Sequence, residues 1–423
     1  MAERVYLLGV EFERPAGNPR WAVEESLAEL AELAASAGGV VVGRLSQSRP
    51  APDAASLIGR GKVQELKAAL AASGAELAIV DQDLSPTQQR NLERALECRV
   101  VDRTQLILDI FARHARSREG QLQVELAMLR YRLPRLTGRG AEMSRLGGGI
   151  GTRGPGETQL ESDRRRLEQR IRKLESALDS VREQRGRQRR KREAVPLATV
   201  ALVGYTNAGK STLFNRLTGA RVAASPRMFA TLDPTLRGLR LPSRRRVLLS
   251  DTVGFLRNLP HGLISAFRAT LEEVQRASLL LLVVDASSPD RDSHLAQVEQ
   301  VLGELQVGGS PRLEVWNKID RLSPAEREAL RAGAPGEGKM AERIGISALS
   351  GEGLAELLAV MDGKLQLDPV SRVRLELPHA AGRLLHALYA GGVIHHAEAG
   401  PEYVRVEADV PASLLRQLQP YLR

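Results

Sequence analysis

Eight consecutive residues carry the clearest chemistry in this 423-residue chain: Gly204-Tyr205-Thr206-Asn207-Ala208-Gly209-Lys210-Ser211. Their spacing is G-x-x-x-x-G-K-S. An apolar run at 197–203 precedes them, and the helix-compatible Thr212-Leu213-Phe214-Asn215-Arg216-Leu217 follows. Strand, loop and helix in that order make a phosphate-binding loop. The glycines let backbone N–H groups turn inward around phosphates. Lys210 reaches the β- and γ-phosphates, and the Ser211 hydroxyl suits Mg²⁺. Asn207 has two readings, loop hydrogen bonding or coordination of a K⁺ ion that would do part of an arginine finger's electrostatic work.

Three further motifs follow, each at the end of an apolar strand. Residues 247–250 run into Asp251-Thr252-Val253-Gly254, residues 313–316 into Asn317-Lys318-Ile319-Asp320, and residues 344–346 into Ser347-Ala348-Leu349. Ligands in open α/β sheets bind beyond the carboxyl ends of the strands, so the motifs should converge on one crevice. Asp251 is placed to hold Mg²⁺ through a water. The Gly254 N–H can sense the γ-phosphate and swing when it leaves. Asp320 can accept two hydrogen bonds from guanine N1–H and its 2-amino group, a pair that adenine lacks. Asn317 and Lys318 would brace that loop, and the Ser347-Ala348 backbone can meet the guanine carbonyl. The site also needs a mobile threonine that ligates Mg²⁺ when the γ-phosphate is present. Phe229-Ala230-Thr231-Leu232-Asp233-Pro234-Thr235 offers two, with Thr231 preferred and Thr235 competing. Phe255 stands where Ras-like enzymes place a water-orienting glutamine, and a phenyl ring cannot do that task. No general base is apparent nearby, which leaves Lys210 and Thr231 as stabilisers of the transition state and its Mg²⁺.

The elements that must position these residues form an α/β protein. Residues 1–102 alternate strands at 5–10, 39–43, 77–81 and 99–102 with helical segments at 21–36, 62–72 and 86–96, which implies a small parallel sheet covered by helices. In 103–193, Leu122, Leu126, Leu129, Leu133 and Leu136 recur at spacings of four and three, as do Leu160, Leu167, Ile171, Leu174, Leu178 and Val181 with one step of seven. Two such seams read as a long antiparallel helical hairpin, with Pro134 kinking or ending its first helix. Residues 194–366 form the P-loop domain, with a doubly wound and mostly parallel sheet. Residues 367–423 read as a small α+β domain of strand, helix, strand, helix. His395-His396 is not a metal pair on this reading, because adjacent residues do not share a face and no spaced third ligand stands out.

The hairpin carries a tip loop, 138–156, with eight glycines interleaved with Arg139, Arg145 and Arg153. Backbone without side chains can approach a crowded surface closely. From Arg164 to Arg192 there are thirteen Lys/Arg against four Asp/Glu, so this stretch holds nearly the whole net charge of +10. Its end, Arg185-Gly186-Arg187-Gln188-Arg189-Arg190-Lys191-Arg192, favours a polyanion. Aromatics are 3% of the chain, so contacts to phosphates and folded RNA shape fit better than base stacking. The expected RNA contacts are Arg139, Arg145, Gly147, Gly148, Gly149, Arg153, Gly154, Arg187, Arg189, Arg190, Lys191 and Arg192. A single cysteine, Cys98, excludes an internal disulfide and a Cys-based zinc site. With no apolar run of about 18 residues and no signal peptide, a cytoplasmic protein is expected.

With these residues in hand, the chain resembles the HflX-type GTPases, ribosome-associated members of the translation-factor-related P-loop class in the Obg–HflX superfamily. The most specific marks are Gly147-Gly148-Gly149-Ile150-Gly151-Thr152-Arg153-Gly154-Pro155-Gly156-Glu157-Thr158-Gln159-Leu160-Glu161, the segment from Phe229 to Thr235, and Ile58-Gly59-Arg60-Gly61-Lys62. The resemblance implies binding to the 50S subunit and its rRNA, GTP-dependent splitting of stalled 70S ribosomes, and a Gly-rich loop carried toward the peptidyl-transferase region. It implies Mg²⁺ held by Ser211 and Thr231, and a cytoplasmic location with peripheral membrane association in some members. Phe255 then predicts slow intrinsic hydrolysis that the ribosome stimulates. Two competing functions are an NTP-dependent, helicase-like rRNA-remodelling factor and an RNA-binding module that nucleotide only regulates. Asp320 argues against ATP, and no helicase motif set accompanies the P-loop.

Overall fold

A computed structural model of the chain describes residues 2–12, 23–136, 155–193, 197–220, 228–229, 234–256, 273–305, 307, 311–332, 343–365 and 370–423. It divides into two compact units. The first comprises residues 1–180, 225–232 and 259–266, and the second 181–224, 233–258 and 267–423.

The first unit is built on β1 (Arg4–Phe12), β2 (Val40–Arg49), β3 (Leu77–Val80) and β4 (Arg99–Asp102), all parallel in the order β2-β1-β3-β4. Helices α1 (Val23–Ser36), α2 (Arg60–Ser73), α3 (Pro86–Leu96) and α4 (Arg103–His114) alternate with them and bury both faces of the sheet. That is why β3 reads Leu-Ala-Ile-Val with no polar alternation. The start of α3 is set by Ser85-Pro86-Thr87-Gln88. The Ser85 hydroxyl and Gln88 amide cap each other's backbone, and Pro86 occupies the first turn. Asp102 caps α4 by accepting the Gln105 N–H at 2.8 Å.

Helices α5 (Arg118–Leu136) and α6 (Pro155–Glu193) follow. Ion pairs Arg130–Glu175 and Arg170–Glu125, both 2.7 Å, link them. The expected leucine seam is unevenly closed. Leu122, Ile171, Leu174 and Leu178 are buried, whereas Leu126, Leu129, Leu133, Leu136 and Leu167 are half-buried. Pro134 lies two residues before the end of α5, so the ladder bond it cannot donate is lost in a helix that is already stopping. The last turn of α5 is fastened to the sheet through Arg135. Its guanidinium donates to Gln89 Oε1, to the carbonyls of Tyr131 and Leu84, and to the buried Asp102 carboxylate at 3.1 Å. The tip loop 138–156 and its Arg139, Arg145, Gly147, Gly148, Gly149, Arg153 and Gly154 lie outside the described residues, apart from the helical start at Pro155. Arg187, Arg189, Arg190, Lys191 and Arg192 lie on α6.

The second unit holds a six-stranded sheet in the order β10-β9-β8-β5-β7-β6. Its strands are β5 (Thr199–Gly204), β6 (Thr235–Arg240), β7 (Arg246–Asp251), β8 (Leu279–Asp285), β9 (Arg312–Asn317) and β10 (Arg343–Gly345). All pairings are parallel except that of edge strand β6 with β7. Helices α7 (Lys210–Thr218), α8 (Arg291–Glu304), α9 (Pro324–Ala332) and α10 (Leu354–Lys364) accompany it. A separate antiparallel sheet, β11 (Val370–Pro378), β12 (Val393–Ala399) and β13 (Tyr403–Pro411), is ordered β11-β13-β12 and carries α11 (Gly382–Gly391) and α12 (Ala412–Leu418). Strand β12 is absent from the sequence expectation. It is a mostly exposed edge strand with a register shift between Ile394 and His396, so no apolar alternation announces it. Within it His395 Nε2 lies 2.7 Å from Asp409 Oδ2 and 2.8 Å from Arg372 Nη2. No helix among the described residues is long and apolar enough to cross a membrane.

Candidate nucleotide site

The four motifs meet at the carboxyl ends of β5, β7, β9 and β10. The apolar runs before them become β5, β7 and β9 inside the sheet and β10 at its edge, so each motif begins where its strand leaves the sheet. Two glycines of the P-loop are dictated by the space around them. At Gly204 a Cβ would lie 2.2 Å from the Val283 carbonyl oxygen of the neighbouring strand. Gly209 has φ +95°, and its Cβ would lie 2.2 Å from Asn317 Nδ2. Past Gly209 the chain turns into α7, and the free N–H groups of a helix start are suited to a phosphate.

Lys210 is buried, and its Nζ donates to the carbonyls of Gly204 at 3.0 Å and Tyr205 at 2.6 Å. Burial pushes its ammonium down to about 8, against the pull of the nearby Asp251 carboxylate. The Ser211 hydroxyl donates to Asp251 Oδ2 at 2.7 Å. A hydroxyl and a carboxylate oxygen, both hard ligands side by side at a phosphate loop, fit Mg²⁺. Thr252 donates its hydroxyl to the Leu202 carbonyl at 2.5 Å, which fixes the turn out of β7, and Val253 is buried. Phe255 is buried against the P-loop. Its N–H donates to the Gly204 carbonyl at 3.1 Å, and its carbonyl accepts the Thr206 N–H at 2.9 Å. The backbone, not the ring, is what this residue offers the loop.

The base-recognition side is tied together by Asn317. Its Nδ2 donates to the Ala208 carbonyl at 2.8 Å, and its Oδ1 accepts the Ala348 N–H at 2.9 Å. One amide therefore spans the P-loop and the Ser347-Ala348-Leu349 loop. Asp320 Oδ1 accepts the Ser347 hydroxyl at 2.6 Å, and the buried Ile319 N–H donates to the Ile346 carbonyl at 3.2 Å. Leu349 is 76% exposed, beyond this knot. Lys318 has φ +66°, and its ammonium is held 2.6 Å from Asp285 Oδ2. Asp285, the last residue of β8, is a site residue missing from the motif reading. Its signal is faint: a carboxylate ending the apolar run 279–284.

Asn207 is exposed with a left-handed backbone, φ +59°. Thr235 opens β6 and sits opposite Asp251 in the antiparallel ladder. Ala230, Thr231, Leu232 and Asp233 lie outside the described residues. Met228 and Phe229 belong to the first unit, within which Phe229 packs edge-on against Phe111, ring centroids 4.5 Å apart, and the Met228 N–H donates to Ser36 Oγ at 3.0 Å.

Known proteins match along the chain. A family described as "GTP-binding GTPase N-terminal" covers residues 24–112, "GTP-binding GTPase Middle Region" covers 114–192, and "50S ribosome-binding GTPase" covers 199–318. The GTPase HflX of Caldanaerobacter subterraneus subsp. tengcongensis is 47% identical over 399 residues, spanning 94% of this chain and 90% of its own length. The chain belongs to the HflX family of GTPases. The GTPase HflX of Escherichia coli strain K12 is 46% identical over 86% of this chain and 84% of its own. Among solved structures, the GDP complex of SsGBP aligns with 86% of this chain at 26% identity and a TM-score of 0.47. As an HflX-family protein the chain binds guanine nucleotide and hydrolyses GTP.

Proposed function

We propose that this HflX-family GTPase binds the large ribosomal subunit through its rRNA and, with GTP bound, splits stalled 70S ribosomes. The observation that carries the reading is the presence in one chain of a guanine-nucleotide site and of α6, a 39-residue helix whose stretch 185–192 holds six Lys/Arg and no acid. Such a helix is an electrostatic footprint for a polyanion. The G domain's match to a family described as 50S ribosome-binding GTPases supports the choice of polyanion. The working division is four parts, 1–102, 103–193, 194–366 and 367–423, acting as a cytoplasmic monomer. Mg²⁺ would be held by Ser211 and Thr231, with Asp251 acting through a water. Lys210 neutralises the β/γ-phosphate charge and keeps the nucleotide in line. Phe255 supplies no hydrogen bond to the attacking water, so hydrolysis is slow until the ribosome completes the site.

Sucrose-gradient sedimentation of 70S ribosomes with a non-hydrolysable GTP analogue tests this. Separate 50S and 30S peaks are expected without hydrolysis. Intact 70S carrying bound protein would instead mark a nucleotide-regulated RNA-binding module. Deleting residues 147–156 should abolish splitting and spare GTP binding. In the same preparations, GTP turnover that is equal with and without 50S subunits would refute the stimulated-switch part.

A further inference from the structure

The P-loop contains a hydroxyl that the G-domain motifs leave without a task. Thr206 is 6% exposed, and its Oγ1 is buried with no hydrogen-bond partner among the described residues. A threonine buried in this way is unfavourable compared with valine of the same shape, because the hydroxyl has left water and gained nothing. An orphaned polar group at a functional site calls for a partner that arrives with the ligand. Its neighbours say which part of the ligand. A Cβ placed on Gly254 would lie 2.9 Å from both Thr206 Cα and Thr206 Cγ2, and 3.0 Å from Lys210 Nζ. The Thr206 Cα and methyl, the lysine that takes the β- and γ-phosphates, and the glycine that senses the γ-phosphate thus border one small space, and a turn about χ1 exchanges the methyl for the hydroxyl there. The Thr206 backbone cannot turn away freely, since its N–H is committed to the Phe255 carbonyl at 2.9 Å.

We propose that the Thr206 hydroxyl donates a hydrogen bond to the terminal phosphoryl group of bound GTP and strengthens it as that group is transferred to water. Thr206 would then be a catalytic residue, in partial compensation for Phe255. The proton stays on Thr206 throughout. Water forms the new bond to the γ-phosphorus and gives a proton to the phosphate being formed, the bond to the β-phosphate oxygen breaks, and GDP and phosphate leave. A donor aimed at oxygens whose charge reorganises in the transition state accelerates the step without binding GDP any better. The inference rests on GTP hydrolysis alone and is independent of the ribosome reading.

The test uses the full chain and the variants Thr206→Val, Thr206→Ser and Thr206→Ala. The readouts are GTP kcat and KM, GDP affinity, and affinity for GDP with aluminium fluoride as a mimic of the transferring phosphoryl group. Thr206→Val, which keeps the shape, should lower kcat by roughly 10- to 100-fold, the worth of one hydrogen bond to a charged group. GDP affinity should stay within about twofold, and the aluminium fluoride complex should weaken by the same factor as kcat. Thr206→Ser should restore most of the rate. Thr206→Ala provides a second hydroxyl-free side chain should valine prevent folding. Wild-type turnover in either hydroxyl-free variant would overturn the proposal. So would a loss of GDP affinity matching the loss of kcat, because that pattern marks a loop-packing role.

Discussion

Lys318 and Asp285 illustrate what a side chain at this site needs beyond its motif. The lysine follows Asn317 with a left-handed backbone, and its flexible stem would wander without an anchor. Asp285 supplies one, with both partners largely buried at 16% and 20% exposure. The same carboxylate accepts the Ser287 N–H and hydroxyl through its other oxygen. Asp285→Asn keeps an acceptor for Ser287 and removes the charge that holds Lys318. It should weaken GDP binding about 3- to 10-fold, consistent with one partly buried charge-assisted bond, with little change in melting temperature. Fluorescent GDP titration measures this, and unchanged affinity would remove Asp285 from the site. The motif residues were legible because their spacing is local: four residues between the P-loop glycines, two between Asn317 and Asp320. Asp285 was not, since it lies 33 residues from its partner and a lone acid at a strand end has no spacing to read. Only the pairing of β8 with β9, which sets Asp285 opposite Asn317, makes it a neighbour of Lys318.

Elements were legible where a run of residues has one dominant environment. The buried parallel strands of the two larger sheets announce themselves as apolar runs, and the capping box at Ser85 marks the start of α3. The edge strand β12 has no such environment and was missed. The seam of α5 and α6 is an intermediate case, because the leucine repeat gives two helices but not how far they close on each other. Leu174 is 2% exposed, whereas Leu129 is half-buried despite sitting in the same kind of repeat. Leu174→Ala should therefore cost about 2–4 kcal/mol, and Leu129→Ala less than about 1.5 kcal/mol, because a cavity forms only where neighbours surround the lost atoms. Urea unfolding followed by hydrogen exchange in α5 and α6 would separate the two. Equal costs would mean that the seam is closed along its whole length.

At the scale of the whole chain, charge is legible from sequence and strand order is not. Strand β5 pairs with β7 and β8 across an intervening β6, a crossover fixed by long-range contacts that no local pattern encodes. The charge asymmetry makes a sharper claim. Thirteen basic against four acidic residues lie between Arg164 and Arg192. Near the start of that stretch Arg164 pairs with Glu168, Arg165 with Glu161 and Arg166 with Asp163 along the helix. Its last eight residues, Arg185 to Arg192, contain six Lys/Arg and no Asp or Glu, with Glu183 and Glu193 the nearest acids on either side. If those residues neutralise RNA phosphates, binding releases counterions, and affinity must fall steeply with salt. Replacing Arg189, Arg190, Lys191 and Arg192 together by alanine should reduce the slope of log affinity against log KCl for 50S binding by about 3, at roughly 0.7 per lost phosphate contact. GTP affinity, which depends on a buried site far less open to screening, should not move. A slope unchanged by the fourfold variant would take α6 out of the RNA interface and shift the burden to the arginines of the Gly-rich loop. A slope reduced together with GTP affinity would show that the charges act through the nucleotide site and not through the ribosome.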